Sequence, residues 1–162
     1  MAVRQKAKKR SRYIRVATFD VGDVLPFVFT RETRHALRAL GHKYNSKEWK
    51  EASRRGYPIF VRGYNHIVEV PMGSHRYQLF AEKGTKCVSC GIVGIYFALE
   101  RGQKDNPKRF HFNLYGRDKR GYEVMITKDH IVPRSKGGKN RLSNYQPMCY
   151  RCNQKKADKV PA

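Results

Sequence analysis

Residues 125–159, MITKDHIVPRSKGGKNRLSNYQPMCYRCNQKKADK, indicate the fold more clearly than any other segment of the chain. This segment begins as a short apolar strand that ends in an Asp-His pair, and a long polar loop with two adjacent glycines follows. A second short strand, YQPMC, then runs into a short helix, YRCNQKKADK. The pattern predicts two strands followed by a helix, with polar side chains at the end of the first strand.

All four cysteines of the chain lie in two Cys-x-x-Cys pairs, Cys87 with Cys90 and Cys149 with Cys152. The two-residue gap lets both thiolates of a pair reach one tetrahedral ion, and Gly91 suits the tight turn after the first pair. In an intracellular protein, such cysteines serve more often as metal ligands than as disulfides. We expect a structural Zn²⁺ here, because four thiolates leave no coordination position for chemistry.

Three polar residues around the second pair predict a reactive centre: Asp129, His130 and Asn153. Asn153 shares a helix face with Cys149 and Cys152, so a zinc that holds this face against the strand brings Asn153 towards Asp129. A carboxylate and an amide oxygen form a site suited to Mg²⁺ or Mn²⁺. A histidine with an ordinary pKa of about 6.5 is a neutral base at physiological pH.

The other histidines have no such neighbours, and we expect them to be surface or packing residues. His111 is the next candidate, because its strand is predicted to pair with the strand of the motif. The remaining ones are His35, His42, His66 and His75. Asp129 and Asn144 also have ordinary structural interpretations, as a strand-end cap and a loop turn.

The run DHIVPRSKGGKNRLSNYQPMCYRCN resembles the HNH (ββα-metal) endonuclease superfamily. It has that family's Asp-His pair, its Gly-Gly loop, an Asn before the second strand, and Cys-x-x-Cys followed by His or Asn. The variant that ends in Asn is similar to phage endonuclease VII and to zinc-stapled restriction enzymes. The resemblance covers about residues 85–160, in which the segment between Cys90 and Asp129 is longer than in compact members and holds an extra hairpin over residues 109–128.

The resemblance implies a role for each matching residue. Asp129 and Asn153 bind the catalytic Mg²⁺ or Mn²⁺, and His130 is the general base that activates water. Asn144 holds the loop so that His130 is correctly oriented, and the four cysteines bind Zn²⁺. The implied reaction is hydrolysis of a DNA phosphodiester bond to leave a 5′-phosphate and a 3′-hydroxyl.

The charge of the chain predicts a polyanionic partner. There are 35 Lys and Arg against 13 Asp and Glu, a formal net charge of +22. Nucleic acid fits best, because neutralising phosphates releases counterions. A membrane surface fits less well, since the sequence predicts no basic amphipathic helix with an aromatic apolar face. The basic residues predicted to contact the nucleic-acid backbone are Lys128, Arg134, Lys136, Lys139, Arg141, Lys155 and Lys156.

The first half of the chain has local structural patterns but no chemical motif. Residues 16–30 favour short strands with a turn, and Thr30 and Ser46 are candidate N-caps of two helices. Alternating aromatic and polar residues then favour a hairpin or a small sheet. The predicted helices cover residues 31–40 and 46–55, and the predicted sheet covers residues 57–81.

We therefore predict an α+β protein in three parts. Residues 1–15 form a flexible basic arm, residues 16–84 a mixed α/β extension that binds substrate, and residues 85–162 an HNH nuclease domain of ββα-metal type with zinc knuckles. We expect no membrane span, because no stretch approaches about 18 apolar residues. No apolar segment follows the basic N-terminus, so we expect an intracellular protein, cytoplasmic or phage-encoded and acting in the host.

The main functional hypothesis is an HNH endonuclease that cleaves DNA. One HNH site cuts one strand, so a homodimer is an option for double-strand cleavage. A zinc-stabilised module that binds nucleic acid without cleaving it is the first alternative. A structure-specific nuclease that acts on junctions or on RNA is the second.

Overall fold

The structure, a computed structural model, describes residues 13–43, 46–54, 56–60, 67–106 and 109–160. Its strands are β1 (Tyr13–Asp20), β2 (Gly56–Phe60), β3 (Ile67–Pro71), β4 (Gly94–Gly102), β5 (His111–Arg117), β6 (Glu123–His130) and β7 (Tyr145–Cys149). Its helices are α1 (Val21–Val24), α2 (Arg31–Ala39), α3 (Lys47–Arg54), α4 (His75–Lys83) and α5 (Tyr150–Lys156). This is a mixed α/β architecture.

A five-stranded antiparallel sheet with the order β1-β4-β5-β6-β7 organises the molecule, and β2 pairs with β3 in a separate hairpin. The hairpin predicted at residues 109–128 corresponds to β5 and β6, which form the middle of the sheet. The segment that looked like an insertion therefore carries the strand that ends in Asp129 and His130.

β1 begins earlier than the sequence indicated. The basic arm was predicted to reach residue 15, but Tyr13–Arg15 already pair with Arg101 and its neighbours in β4. The rest of the predicted arm, residues 1–12, lies outside the described residues. After β1, the chain turns through α1 and a 3₁₀ turn at Leu25–Phe27, where short strands were expected.

The two predicted helices in the first half are confirmed as α2 and α3. Thr30 caps α2, because its side chain accepts a hydrogen bond from the Thr33 N–H at 3.4 Å. Gly41 follows α2 with a φ of +80°, which suits a glycine at the end of a helix. In the part of the chain that the structure describes, no helix is long and apolar enough to span a membrane.

The predicted sheet over residues 57–81 is only half right. β2 and β3 form its hairpin, but residues 75–83 are the helix α4. Alternation of Tyr77, Leu79 and neighbouring polar residues resembled a strand. In the helix, four consecutive residues from Tyr77 to Phe80 are buried, because α4 packs in the interior on more than one side.

α4 packs against the apolar face of the sheet to form the main core. The Phe97 and Phe112 rings lie 5.8 Å apart on neighbouring strands, and Phe80 of α4 lies 6.3 Å from Phe97. The same core reaches Val24 in the first half and Cys149 at the end of β7. Both halves of the chain therefore build one core, and the boundary predicted at residue 84 stays a prediction about function.

β5 and β6 pair over only part of their length. They pair from Leu114–Ile126 to Arg117–Glu123, and beyond Leu114 they separate. In the gap, the Tyr77 hydroxyl accepts a hydrogen bond from the Phe112 N–H at 2.9 Å and donates one to the Phe112 carbonyl at 3.5 Å. A side chain of α4 thus replaces the missing strand partner.

A buried ion pair ties β1 to β4 and β5. The Glu100 carboxylate is 2% exposed and accepts hydrogen bonds from Arg15 Nε at 2.8 Å, Asn113 Nδ2 at 2.7 Å and the Tyr115 hydroxyl at 3.0 Å. Burial opposes ionisation of Arg15, but its bonds to Glu123 and Glu100 outweigh this and raise its pKa. Burial and the Glu100 charge raise the pKa of Tyr115.

Candidate functional site

The four cysteines come together as predicted. Their Sγ atoms all lie within 4.8 Å of one another, and the Cys90 and Cys149 sulfurs are 3.7 Å apart. Cys87 and Cys149 are buried, while Cys90 is exposed. This cluster is able to hold a metal ion.

Local hydrogen bonds explain why the two pairs meet. The Val88 N–H donates to the Pro147 carbonyl at 3.0 Å, which fastens the first pair to β7. Cys149 ends β7 and caps α5, where its sulfur accepts from the Cys152 N–H at 3.4 Å. The second pair therefore lies at the strand-to-helix junction.

The donor chemistry of the cluster fits zinc. Tetrahedral Zn²⁺ holds thiolates at about 2.3 Å, so its sulfurs lie roughly 3.8 Å apart. Burial favours the neutral thiol of Cys87, yet backbone hydrogen bonds from Cys149, Cys90 and Ser89 lower its pKa to about 7. Burial and neighbouring thiols raise the pKa of Cys149 to about 12. A bound cation would relieve this crowding of charge, because it replaces the thiol protons.

Asp129 lies near the end of β6 and is 5% exposed. Its Oδ2 accepts a hydrogen bond from Gln146 Nε2 at 2.8 Å, across the strand pair. The Lys156 ammonium lies 3.1 Å from the same carboxylate and donates to the His130 carbonyl at 2.6 Å. The carboxylate therefore faces α5 and already holds one positive charge.

Lys156 is thus placed differently from what its sequence position indicated. It was predicted among the nucleic-acid contacts, but its side chain is only 10% exposed and turns inward. Its partners, Asp129 and the His130 carbonyl, lie 26 or 27 positions earlier in the chain. No spacing rule in the sequence connects residues so far apart.

His130 ends β6 beside Tyr145. Its ring lies 4.8 Å from the Tyr145 ring, edge to face. Its Nε2 is 2.8 Å from Asn140 Oδ1, which also accepts from the Tyr145 hydroxyl at 3.3 Å. Because that oxygen is an acceptor, the neutral imidazole carries its proton on Nε2 and its lone pair on Nδ1. Sequence reasoning missed Asn140, which looked like one polar loop residue among many.

Asn144 joins the two ends of the loop between β6 and β7. Its Oδ1 accepts from the Val132 N–H at 3.0 Å, and its Nδ2 donates to the carbonyls of Val132 and Lys139 at 3.0 and 3.1 Å. The loop also needs both of its glycines. Gly137 has a φ of +81°, and a Cβ on Gly138 would lie 1.7 Å from the Val132 carbonyl oxygen.

Asn153 reaches the same strand from α5. Its Nδ2 donates to Thr127 Oγ1 at 3.0 Å, and Thr127 donates to the Met148 carbonyl at 2.8 Å. Thr127 and Asp129 are two residues apart on β6 and so lie on one face of the sheet. Asn153 and Asp129 therefore come to the same side of β6, with the amide nitrogen occupied and the amide oxygen left for another ligand.

Most of the predicted nucleic-acid contacts are exposed around this site. Lys128 packs with its ammonium 4.0 Å from the centre of the Tyr145 ring, and His75 approaches the same ring at 5.4 Å. The exposed members are Arg134, Lys136, Lys139, Arg141 and Lys155. The contacts of these basic residues with nucleic acid stay predictions.

His66, one of the histidines expected to have no catalytic role, lies outside the described residues.

Comparison with known families agrees with the resemblance. Residues 118–162 match a family model described as HNH endonuclease, so this segment of the chain is similar to the HNH endonucleases. At the level of the family, this indicates nuclease activity on nucleic acid. No curated protein and no solved structure shows a significant match.

Proposed function

We propose that this protein is a metal-dependent HNH endonuclease that hydrolyses DNA phosphodiester bonds. The observation that carries the proposal is the meeting of Asp129 and Asn153 on the face of β6 that α5 covers. His130 stands at the end of the same strand, next to them. The cysteine cluster at the start of α5 holds this arrangement together.

His130 acts as the general base in this proposal. The Asn140 oxygen binds the Nε2 proton, which leaves Nδ1 to take a proton from the attacking water. Asn144 fixes the loop that presents Asn140, through its three hydrogen bonds to Val132 and Lys139. The base is therefore oriented by two asparagines, one in contact with it and one through the backbone.

Two kinds of metal site support this reaction. Zn²⁺ at the four cysteines would stabilise the fold, while Asp129 and the Asn153 oxygen would hold Mg²⁺ or Mn²⁺. The divalent ion would offset the charge that develops on the phosphate and leaving oxygens. Lys156 lies on the same carboxylate at 3.1 Å, so metal binding at Asp129 competes with that ammonium.

The charge of the chain supports a nucleic-acid substrate. With a net charge of +22, the protein attracts phosphates without sequence specificity. We propose DNA as the substrate, a homodimer where both strands of a duplex are cut, and an intracellular site of action. In this proposal, the exposed loop residues Arg134, Lys136 and Lys139 contact the DNA backbone beside His130.

Incubation of supercoiled plasmid with the protein and Mg²⁺ or Mn²⁺ tests the proposal. We expect nicked and then linear DNA with the parent protein, and a loss of about 10²–10⁴ in rate for His130→Ala. His35→Ala is the matched control, because His35 lies on the exposed face of α2. Equal cleavage by parent and His130→Ala, or no cleavage of plasmid, junction and RNA substrates by either, contradicts the proposal.

A second candidate is a zinc-stabilised module that binds nucleic acid without cleaving it. It is favoured by one observation, the Lys156 ammonium that already neutralises Asp129. The two candidates differ in binding of Mn²⁺. A nuclease binds Mn²⁺ at a site that Asp129→Asn weakens, whereas a pure binder shows no such site.

A further inference from the structure

A cavity lies where β5 and β6 separate. It has a volume of about 900 Å³ and is bounded by the first turn of α4, the connection between β4 and β5, and Lys128 of β6. Cavities that bind small ligands usually measure about 300–1,000 Å³. This one is therefore large enough for a nucleotide.

The gap between the strands is built into the fold. Two strands that part in the interior leave backbone groups without partners, which is costly. Here the Tyr77 hydroxyl serves both the N–H and the carbonyl of Phe112. Nearby, Arg76 Nη1 donates to Asn113 Oδ1 at 2.9 Å, so the arginine at the cavity wall is held by a buried side chain.

The wall of the cavity is positively charged. Four cations line it, against the single carboxylate of Asp105, whose Oδ2 already accepts from the Gly102 N–H at 3.1 Å. The cations are Arg76, Lys104, Arg109 and Lys128. Burial and then Arg76 lower the pKa of His111, and burial and then Lys128 lower the pKa of His75. Both histidines therefore lie in the positive electrostatic potential of the cavity wall.

Aromatic rings line the cavity between these charges. Tyr77 and Phe110 are buried and form the apolar floor. Tyr13 and His111 are partly exposed, and their rings meet edge to face at 5.5 Å. Basic side chains with aromatic rings between them match the two parts of a nucleotide, the phosphate and the base. Rings stack on any base, because every base has a π face.

The cavity adjoins the candidate catalytic strand. Lys128 forms part of its wall and is followed directly by Asp129 and His130. Lys128 and His130 both contact the Tyr145 ring, at 4.0 and 4.8 Å from its centre. A nucleotide in the cavity can therefore belong to the same nucleic-acid strand as a phosphate bound at His130.

We propose that this cavity binds one unstacked nucleotide of the nucleic-acid strand that the site cuts, with Lys104 and Arg109 on its phosphates and Tyr13 and His111 beside its base. The inference rests on the proposed function in taking a polynucleotide as substrate. Extrusion of a base costs a few kcal/mol, and a mismatched or single-stranded base costs least. The cavity therefore favours single-stranded or distorted DNA over regular duplex.

Binding of single-stranded oligonucleotides that carry 2-aminopurine at successive positions tests this. The measurements use the His130→Ala protein with its zinc and a chelator-free buffer without Mg²⁺ or Mn²⁺, so that no cleavage occurs. We expect a fluorescence change at one or two adjacent positions only. Ser74→Trp should abolish it, because Ser74 lines the cavity and its side chain makes no capping hydrogen bond in α4.

A matched pair of double variants tests the charges. K104A/R109A removes two cations from the cavity wall, and K119A/R120A removes two from the turn between β5 and β6, at the far end of β6. We expect K104A/R109A to weaken binding about tenfold and to lower the salt slope by about two, with little change for K119A/R120A. The site-specific fluorescence change should be lost only in the first.

The outcomes separate the two proposals. Uniform fluorescence along the oligonucleotide, or equal losses in the two double variants, overturns the cavity as a nucleotide site. Binding of dAMP that K104A/R109A abolishes, without any position-specific change in oligonucleotides, overturns the polynucleotide source. Position-specific binding in a protein that cleaves no substrate supports the cavity and overturns only the nuclease activity.

Discussion

The two ends of the five-stranded sheet carry polar groups of different kinds. One end, which we call the motif end, consists of β6, β7 and α5, and its polar residues lie between positions 127 and 156. The other, the network end, consists of β1, β4 and β5, and is joined by the buried contact of Arg15 with Glu100. The partners in that contact are 85 positions apart.

The difference shows which polar groups a sequence reveals. At the motif end, strand, loop and helix follow one another closely, so the spacing of Asp129, His130 and Asn153 indicates that they converge. At the network end, a buried charge is paired only after β1 reaches the sheet. In the proposed function, the motif end carries the chemistry and the network end holds the sheet together, so substitutions at each should have different effects.

The largest expected effect is removal of the metal from the cysteine cluster. Structural zinc contributes about 10–16 kcal/mol in small zinc modules, so a strong chelator should abolish cooperative unfolding of the motif end. Hydrogen exchange should show loss of protection in β7 and α5 before β4. Added Zn²⁺ should restore both cooperative unfolding and protection from exchange. Full zinc release with an unchanged thermal midpoint would show that the motif end does not depend on the metal.

The second-largest effect on the free energy of unfolding is expected at the network end. Glu100→Ala leaves Arg15 with Glu123 and removes the buried acceptor of Asn113 and Tyr115, so it should lower the free energy of unfolding by about 3–5 kcal/mol. Glu123→Ala is the control, because Glu123 binds the same arginine but is 38% exposed. An exposed pair contributes only about 0–1 kcal/mol. Chemical denaturation measures both.

The activity of Glu100→Ala tests whether the two ends of the sheet act independently. Glu100→Ala should leave kcat per folded molecule unchanged below its unfolding transition, because Glu100 contacts no residue of the motif end among those described. A fall in kcat as large as that of His130→Ala would show that the two ends are not separate. The fraction folded must be measured in the same buffer as cleavage.

A smaller effect is expected for Asn144→Ala at the motif end. Loss of three hydrogen bonds removes the Asn144 partner of the Val132 N–H and carbonyl, while the Lys139 carbonyl still accepts from the Arg141 N–H, and we expect a cost of about 1–3 kcal/mol. Thermal unfolding should show the loss, together with increased exchange in residues 131–139. Asn153→Ala provides the comparison for the loss of stability, because Asn153 has one side-chain hydrogen bond, to Thr127, where Asn144 has three. Similar stability of Asn144→Ala and parent would contradict the role of Asn144 in closing the loop.

The smallest effect on stability, with a measurable effect on rate, is expected for Asn140→Ala. Asn140 is exposed, but its oxygen also accepts from the buried Tyr145 hydroxyl, so the free energy of unfolding should fall by about 1 kcal/mol. Loss of its bond to His130 should lower kcat about tenfold, since one hydrogen bond contributes about 1 kcal/mol. A change in KM alone would argue against orientation of the base.

The sequence predicts the parts of the site that depend on local spacing. The cysteine pairs, the strand before Asp129 and the helix that carries Asn153 all follow from residues less than ten positions apart. It does not predict that Lys156 turns inward or that Asn140 holds His130, because both depend on how the loop folds back. The identity of α4 was also missed, since burial on several sides erased its helical period.

The meeting of Cys90 and Cys149, 59 positions apart, also sets an order of events during synthesis of the chain. The first pair emerges from the ribosome before the second, and about sixty more residues must follow before all four sulfurs are present. β4, β5 and β6 lie within this interval, so they are synthesised before the cluster can close. In polymer terms, closing a loop of this length removes about 4 kcal/mol of entropy from the unfolded chain, if it acts as a disulfide does. Closure of the cluster would therefore enclose three strands of the sheet in one loop and stabilise them by restricting the unfolded chain.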